Sequence, residues 1–473
     1  MKNSPLTIFF AAALLLCACK KELNVYPTTS EADGNLITDQ VTAQQVLNGV
    51  YYQFAAAAAD NNNSGLTAWC DVNEAIPSEL SGLLQLSYGG GELFTHTYAA
   101  DDYFISGFWI YNYTLADAAN RFIGNMTPVT SVTPAAKQQM LAEATFLRAF
   151  ANEQLLFYFG QYTDTTSQYG IILRNEPVSA SNINSPRSSV AATYASILAD
   201  LDAAIAGLPV LNSAIYYVNA STAKLLKARV LMNRGAAGDY AQVISLTNDI
   251  ITNGPFVLED SLKDIFLTKG FNSKEVMLGI QPYPNDYEKF DAYTSSPSFI
   301  SAALLPALTA DDARSQWVYQ HYDVQYSGNY NELTKYFSGD ILDPAETPLC
   351  TNGFAFRLSE AYLLQAEALT MSGGDTTTAK VLLKTVMNHA GAGPTELAAV
   401  DSAATPAALQ LEIVKENMRN FAYENGVDWY ALRRLPFATI QTLNPNIKTQ
   451  NLLILPIPAS ELSYNKVVQN PGY

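Results

Sequence analysis

Histidine and cysteine are what this 473-residue chain has least of, and their scarcity removes whole classes of chemistry. His96, His321 and His389 stand far apart, and none has a second imidazole at the four-residue interval that puts two metal ligands on one helix face. Each is read as a surface or packing residue. No glycine-rich phosphate loop follows a strand pattern, and no Gly-x-Ser-x-Gly elbow is present. Carboxylates abound, but nothing in their spacing selects the facing pair that glycoside hydrolysis needs. A surface hydrolase is thus a rival reading, and the chain is read as not an enzyme. Positive charge is also scarce: 27 Lys and Arg face 44 Asp and Glu, a formal net of −17. Such a surface repels phosphates, which argues against nucleic acid and against a basic membrane patch. After the leader no apolar run is long enough to predict a spanning helix. No Pro, Gly or Ser tract divides the chain, so residues 40–473 read as a single domain.

The four cysteines divide by position. Cys19 closes Leu16-Cys17-Ala18-Cys19 behind a leader with one early charge, Lys2, and an apolar run from Leu6 to Leu16. That order is an export signal, and a Cys behind a small residue and a Leu is where bacterial lipoproteins are cut and lipidated. Residues 1–18 are therefore expected to be a signal peptide and 19–39 a lipidated tether. Without the leader 44 acidic side chains face 26 basic ones, a net of −18. Export permits a disulfide between Cys70 and Cys350, with two buried thiols as the expected state.

Apolar periodicity predicts helices at about 43–54, 108–126, 135–159, 190–206, 220–234, 240–252, 354–371, 377–389 and 407–423. Two stretches, about 61–106 and 254–353, lack a steady period and are expected to be mostly irregular. Ala223, Leu225, Leu226, Ala228, Leu231, Gly235 and Ala241 recur, 138 residues on, as Ala361, Leu363, Leu364, Ala366, Leu369, Gly373 and Ala379. Small residues where helices approach, with a Gly at the turn, predict stacked tetratricopeptide-like hairpins.

Particular residues now carry a resemblance. Leu47-Asn48-Gly49-Val50-Tyr51, Trp109, Tyr113, Ala119-Asn120, Ala142-Glu143-Ala144, Phe146-Leu147-Arg148-Ala149-Phe150, Asp200-Leu201 and the ending Leu455-Pro456-Ile457-Pro458 to Asn470-Pro471-Gly472-Tyr473 resemble the SusD/RagB family of Bacteroidetes. The family's late charged signature is present in divergent form as Glu416-Asn417-Met418-Arg419-Asn420 followed by Tyr423-Glu424-Asn425-Gly426, with Ala431 where an Asp is common. These positions look structural. The resemblance implies a mainly α, SusD-like fold: four tetratricopeptide-like helix pairs with long irregular loop insertions forming a binding face. It implies an outer-membrane, lipid-anchored, surface-exposed protein that captures a glycan and delivers it to a SusC-like TonB-dependent transporter. Peptide binding, or a helical-repeat scaffold without substrate contact, are the alternatives it leaves. Lys20-Lys21-Glu22 departs from the acidic residues that usually follow the lipidated Cys, which bears on orientation.

A sugar packs its C–H face on an aromatic ring while its hydroxyls need polar side chains, and the two irregular stretches supply both. In the first, Trp69, Tyr88, Tyr98 and Tyr103 are candidate ligand contacts. In the second, Tyr283, Tyr287, Tyr293, Trp317 and Arg314 are candidates, with Tyr319, Tyr322, Tyr326 and Tyr330 among the same run. Any one ring could instead pack beneath a loop, but as a set some are expected to be exposed. Trp109, Tyr113 and Trp429 are assigned to the scaffold. No cofactor is expected. Structural calcium at Asp311-Asp312 or Asp340 with Asp343 is the weaker reading, because the EF-hand spacing is missing.

Overall fold

The computed structural model describes residues 36–56, 69–86, 91–282, 298–300, 311–324, 328–338 and 344–473. Cys19 lies outside them, as do the leader and most of the tether. Nine longer helices among the described residues run α1 Gln40–Phe54, α2 Tyr103–Met126, α3 Pro134–Phe159, α4 Val190–Gly207, α5 Ala220–Arg234, α6 Asp239–Asn253, α7 Leu358–Met371, α8 Thr376–Ala390 and α9 Pro406–Asn420. Their ends follow local chemistry. Thr133 accepts a backbone N–H ahead of Pro134 to open α3, and Asn219 does the same for α5, while Gly235 in the left-handed conformation closes α5.

Each helix packs against the next in sequence, from α1 on α2 through to α8 on α9, which makes a helix-pair stack. The 138-residue repeat is real in three dimensions. Gly235 and Gly373 both take positive φ at the turns, and Ala223, Leu225, Leu226, Ala361, Leu363 and Leu364 are all buried. Helix α7 of the second pair lies against α6 of the first. The match fails at its last position, since Ala241 is exposed and Ala379 is buried. Helix α4 is long and apolar enough to cross a membrane by composition, contrary to the sequence reading. It nonetheless packs on α3 and α5 and carries Asp200, which meets Arg148.

Family-motif residues tie these helices together. Arg148 holds Asp200 through two bonds of 2.8 and 2.6 Å, joining α3 to α4. Arg229 holds Glu360 at 2.7 and 2.9 Å, joining α5 to α7. At the chain end, Asn470 donates to the carbonyls of Phe159 and Leu455, and the Leu455 N–H donates to Tyr158. The distinctive final motif therefore seals the end of α3.

The stretch expected to be mostly irregular contains strands. β1 Leu84–Leu86, β3 Ser298–Ile300, β5 Gly328–Leu333 and β4 Tyr319–Val324 form an antiparallel sheet in the order β1-β3-β5-β4, and β2 Val276–Ile280 pairs with β6 Gly353–Arg357. Residues 354–357, expected to be helical, are part of β6. Both β2 and β6 are buried along their whole length, and a strand covered on both faces reads as a continuous apolar run that periodicity does not separate from a helix.

Candidate ligand-binding face

The four-stranded sheet is the most distinctive non-helical feature. Its register pairs Gln85 with Phe299, Phe299 with Glu332, and Glu332 with Gln320. Residues directly opposite in antiparallel strands share a face, so these four form one row across the sheet. Two residues along, Tyr322 pairs with Tyr330 on the same face. Along β1, Leu84 is fully buried and Gln85 is exposed. At the far edge Leu333, on the opposite face, is buried as well. Positions 299, 320, 322, 330 and 332 thus share, by register, the face on which Gln85 lies. By register, two tyrosine positions stand opposite each other beside two amide positions and a carboxylate position, residue types that suit a sugar ring.

Both legs of the β4–β5 pair are fastened by buried charge at the end away from its turn. Before β4, Arg314 donates to Asp312 at 2.9 and 2.6 Å and to Glu416 of α9 at 2.8 and 2.9 Å. Burial opposes the Arg314 charge, but Glu416 and Asp312 outweigh it and raise its pKa. Glu416 is held below its ordinary pKa in spite of burial, by Arg314 and Arg419. After β5, the Lys335 ammonium donates to the Asn420 and Ala422 carbonyls at 3.0 Å and to the Glu424 carboxylate. Burial pulls it down to about 8. Glu424 also takes Arg357 at 2.6 Å from the end of β6. At the root of the pair, Thr334 donates its hydroxyl to the Trp317 carbonyl at 2.8 Å. The turn after α8 seats the first leg: Ala313 N–H donates to Gly391, and a Cβ on Gly393 would lie 1.9 Å from the Asp311 carbonyl. The late charged signature, Glu416 to Glu424, is the socket of this mount.

Several sequence candidates are corrected by burial. Trp69, 2 % exposed, stacks on Phe150 at 6.0 Å and meets Phe54 edge-on at 5.1 Å. Trp317, 6 % exposed, packs on Phe266, and Tyr98, equally buried, donates to the Leu452 carbonyl and stacks on Tyr473. Arg314 is wholly enclosed. None of the four presents a surface to a ligand; large apolar rings beside strands were taken by the core, and the guanidinium by its carboxylates. Tyr103 is 54 % exposed on the first turn of α2, outside the sheet. Tyr88, Tyr283, Tyr287 and Tyr293 lie outside the described residues. Trp109, whose ring N–H donates to Glu461, and Trp429 are buried scaffold residues. Cys70 and Cys350 are buried thiols. Asp312 is committed to Arg314, and among the described residues no group of acidic, His or Cys side chains could hold a metal ion. Gln85, Gln320 and Glu332 were missed in the sequence, although Tyr322 and Tyr330 sit symmetrically about residue 326, the pattern of a hairpin.

Fold and register together define a helix-pair scaffold that mounts a small antiparallel sheet. Residues 28–230 match a family model described as starch-binding associating with outer membrane, and residues 311–451 match the SusD family model. The chain belongs to the SusD/RagB family. Its fold is similar to a SusD superfamily protein from Bacteroides thetaiotaomicron, at 20 % identity, TM-score 0.75, covering 92 % of this chain and 100 % of that one. It is similar to B. fragilis NanU at 18 % identity and TM-score 0.73, covering 95 % and 100 %. A laminarin-binding SusD-like protein matches at 19 % identity and TM-score 0.72, covering 92 % and 100 %. No curated protein matches the chain.

Proposed function

We propose that the chain is a non-enzymatic, lipid-anchored outer-membrane receptor that captures a glycan on the open face of its four-stranded sheet and delivers it to a SusC-like TonB-dependent transporter. Residues 1–18 would be removed, Cys19 would carry the lipid, and 40–473 would fold as one domain. The observation that carries the reading is the β4–β5 register, which sets positions 322 and 330 opposite each other on the face shared with the exposed Gln85. Family membership and a laminarin-binding neighbour support it. Weak stacking contacts suit a receptor that must release its cargo, and a polymer engaging many receptors raises retention.

The test is calorimetric titration of protein beginning after Cys19 against plant, host and microbial glycans. One glycan class should give heat, with affinity falling about fivefold to tenfold in Tyr322→Ala and Tyr330→Ala. Heat from no glycan would overturn the reading. The acidic surface, net −18 without the leader, favours cationic peptides as the second reading, and its mark would be binding that salt abolishes.

A further inference from the structure

A cavity of about 320 Å³ opens to solvent on one side of α2, and none of the residues that line it belongs to the four-stranded sheet or to its charged mount. Trp109, Ile110, Tyr113, Thr114 and Asp117 line it from α2, recurring at the three- and four-residue intervals of a single helix face. The segment after α3 adds Ile172, Arg174 and Val178, and the short helix Ala459–Tyr464 adds Glu461. Buried Trp109 is the floor, and exposed Ile110 with Ile172 and Val178 makes apolar wall. The polar groups are held in place by the chain itself. Glu461 accepts the Trp109 ring N–H on Oε2 at 3.3 Å and Asn465 on Oε1 at 2.9 Å. Asp117 accepts the Val178 N–H on Oδ1 and Arg121 on Oδ2, both at 2.7 Å. Arg174 donates from Nη1 and Nη2 to the Asn182 and Ile183 carbonyls at 2.8 and 2.7 Å, and the Tyr113 hydroxyl accepts the Ile172 N–H at 3.0 Å. These bonds orient the groups without exhausting them: each of the four carboxylate oxygens keeps a lone pair, and the guanidinium keeps further N–H groups.

Building on the glycan reading, we infer that this cavity is a second carbohydrate site, which takes a neutral sugar residue at a place separate from the sheet. Its lining presents fixed acceptors, Glu461 and Asp117, and a fixed donor, Arg174, around one small space. An anion would face the two carboxylates and a cation would face the guanidinium, whereas a sugar hydroxyl donates to the first and accepts from the second. Such bonds are charge-assisted and stronger than those between neutral groups. The C–H groups of the ring pack on the walls that Ile110, Ile172 and Val178 supply. The volume lies at the small end of the range for ligand sites, which fits a short stretch of a glycan and not a whole chain. Two modest sites on one protein then hold a polymer longer than either alone, provided that a single chain spans both.

The chain has four tryptophans, so protein labelled with 5-fluorotryptophan gives a fluorine spectrum in which the Trp109 signal can be assigned with Trp109→Phe. D-glucose, D-galactose, D-mannose and laminaritriose are the probes, each titrated through the millimolar range. At least one should move the Trp109 signal in a saturable way. Thr114 is exposed at the rim, and Thr114→Phe, which fills the cavity, should abolish the shift. Ile110→Asp, which removes apolar wall from an exposed position, should weaken it about fivefold or more. Tyr322→Ala should leave it unchanged. Circular dichroism confirms that the variants are folded. A Trp109 signal that no probe moves, while the glycan panel still gives heat, would overturn the second site and leave the glycan reading standing. A shift that survives intact in both cavity variants would also overturn it, since the sugar would then lie elsewhere. No shift and no heat from any glycan would overturn both readings.

Discussion

Lys335 and Arg357, buried cations from different parts of the sheet region, converge on one carboxylate: Glu424 accepts the Lys335 ammonium on Oε1 and the Arg357 Nε–H on Oε2. Arg357 also reaches Glu275 at 2.8 Å, so the cluster ties β5 and both strands of the β2–β6 pair to the segment after α9. Replacing Glu424 by Gln would leave two buried cations short of their shared counter-charge. A loss of about 3–5 kcal/mol is expected in denaturant unfolding, with the thermal midpoint falling in step. Matching midpoints for variant and parent would show that the cluster does not hold the fold.

Trp317 and Tyr322 are five residues apart in sequence and should behave oppositely. Trp317→Ala empties a buried site against Phe266 and is expected to cost about 3–5 kcal/mol of stability. Tyr322→Ala, at a register position on the Gln85 face, should under the proposed function change stability by less than about 0.5 kcal/mol while weakening ligand binding. Unfolding and calorimetry on both variants read the two effects separately. A stable Trp317→Ala protein with lost binding would return that ring to the ligand site.

Asp428 gives a pH signature. Its carboxylate is buried, accepts Ser78 and Ser81 at 2.7 and 3.0 Å through Oδ2, and leaves Oδ1 without a partner. Burial, only partly offset by the two serines, pushes its pKa up to about 6. A folded-state pKa above the unfolded value means that the folded protein holds the proton more tightly. The contribution is complete below about pH 4 and is lost as pH rises through 6, about 3 kcal/mol in all. Asp428→Asn stays neutral throughout. Its stability relative to the parent should therefore climb between pH 4 and pH 7, and a pH-independent difference would count against the raised pKa.

Lipidation at Cys19 predicts a simple partition. The full-length protein expressed in a Bacteroidetes host should sediment with membranes and enter the detergent phase, and Cys19→Ser should remain in the aqueous fraction. Equal partition of the two proteins would sink the lipid anchor.

Sequence periodicity reaches the scaffold well: α5 spans Ala220–Arg234 as expected, and the 138-residue repeat locates two stacked pairs. Helical patterning is local, so a single stretch of chain carries the signal. The sheet is otherwise. Its row joins Gln85 to Phe299 and then to Glu332, positions more than two hundred residues apart at the ends, and a run such as Tyr319-Gln320-His321-Tyr322-Asp323-Val324 has no apolar alternation to betray it. Burial of the aromatics was equally illegible. Nothing in the residues beside Trp69 and Tyr322 separates them, and only the fold sends one into the core and sets the other opposite Tyr330 in a sheet.

Every charged group that fastens the β4–β5 pair, Asp312, Arg314, Lys335, Glu416 and Glu424, lies outside the two strands it secures. The six positions of β4 and β5 that share the Gln85 face can therefore vary without touching that mount, much as a tool head is exchanged on a fixed handle, whereas Leu333 on the other face is part of the core. On the proposed function, a lineage changing its diet could explore new cargo in those six positions while the costly part of the architecture stays as it is.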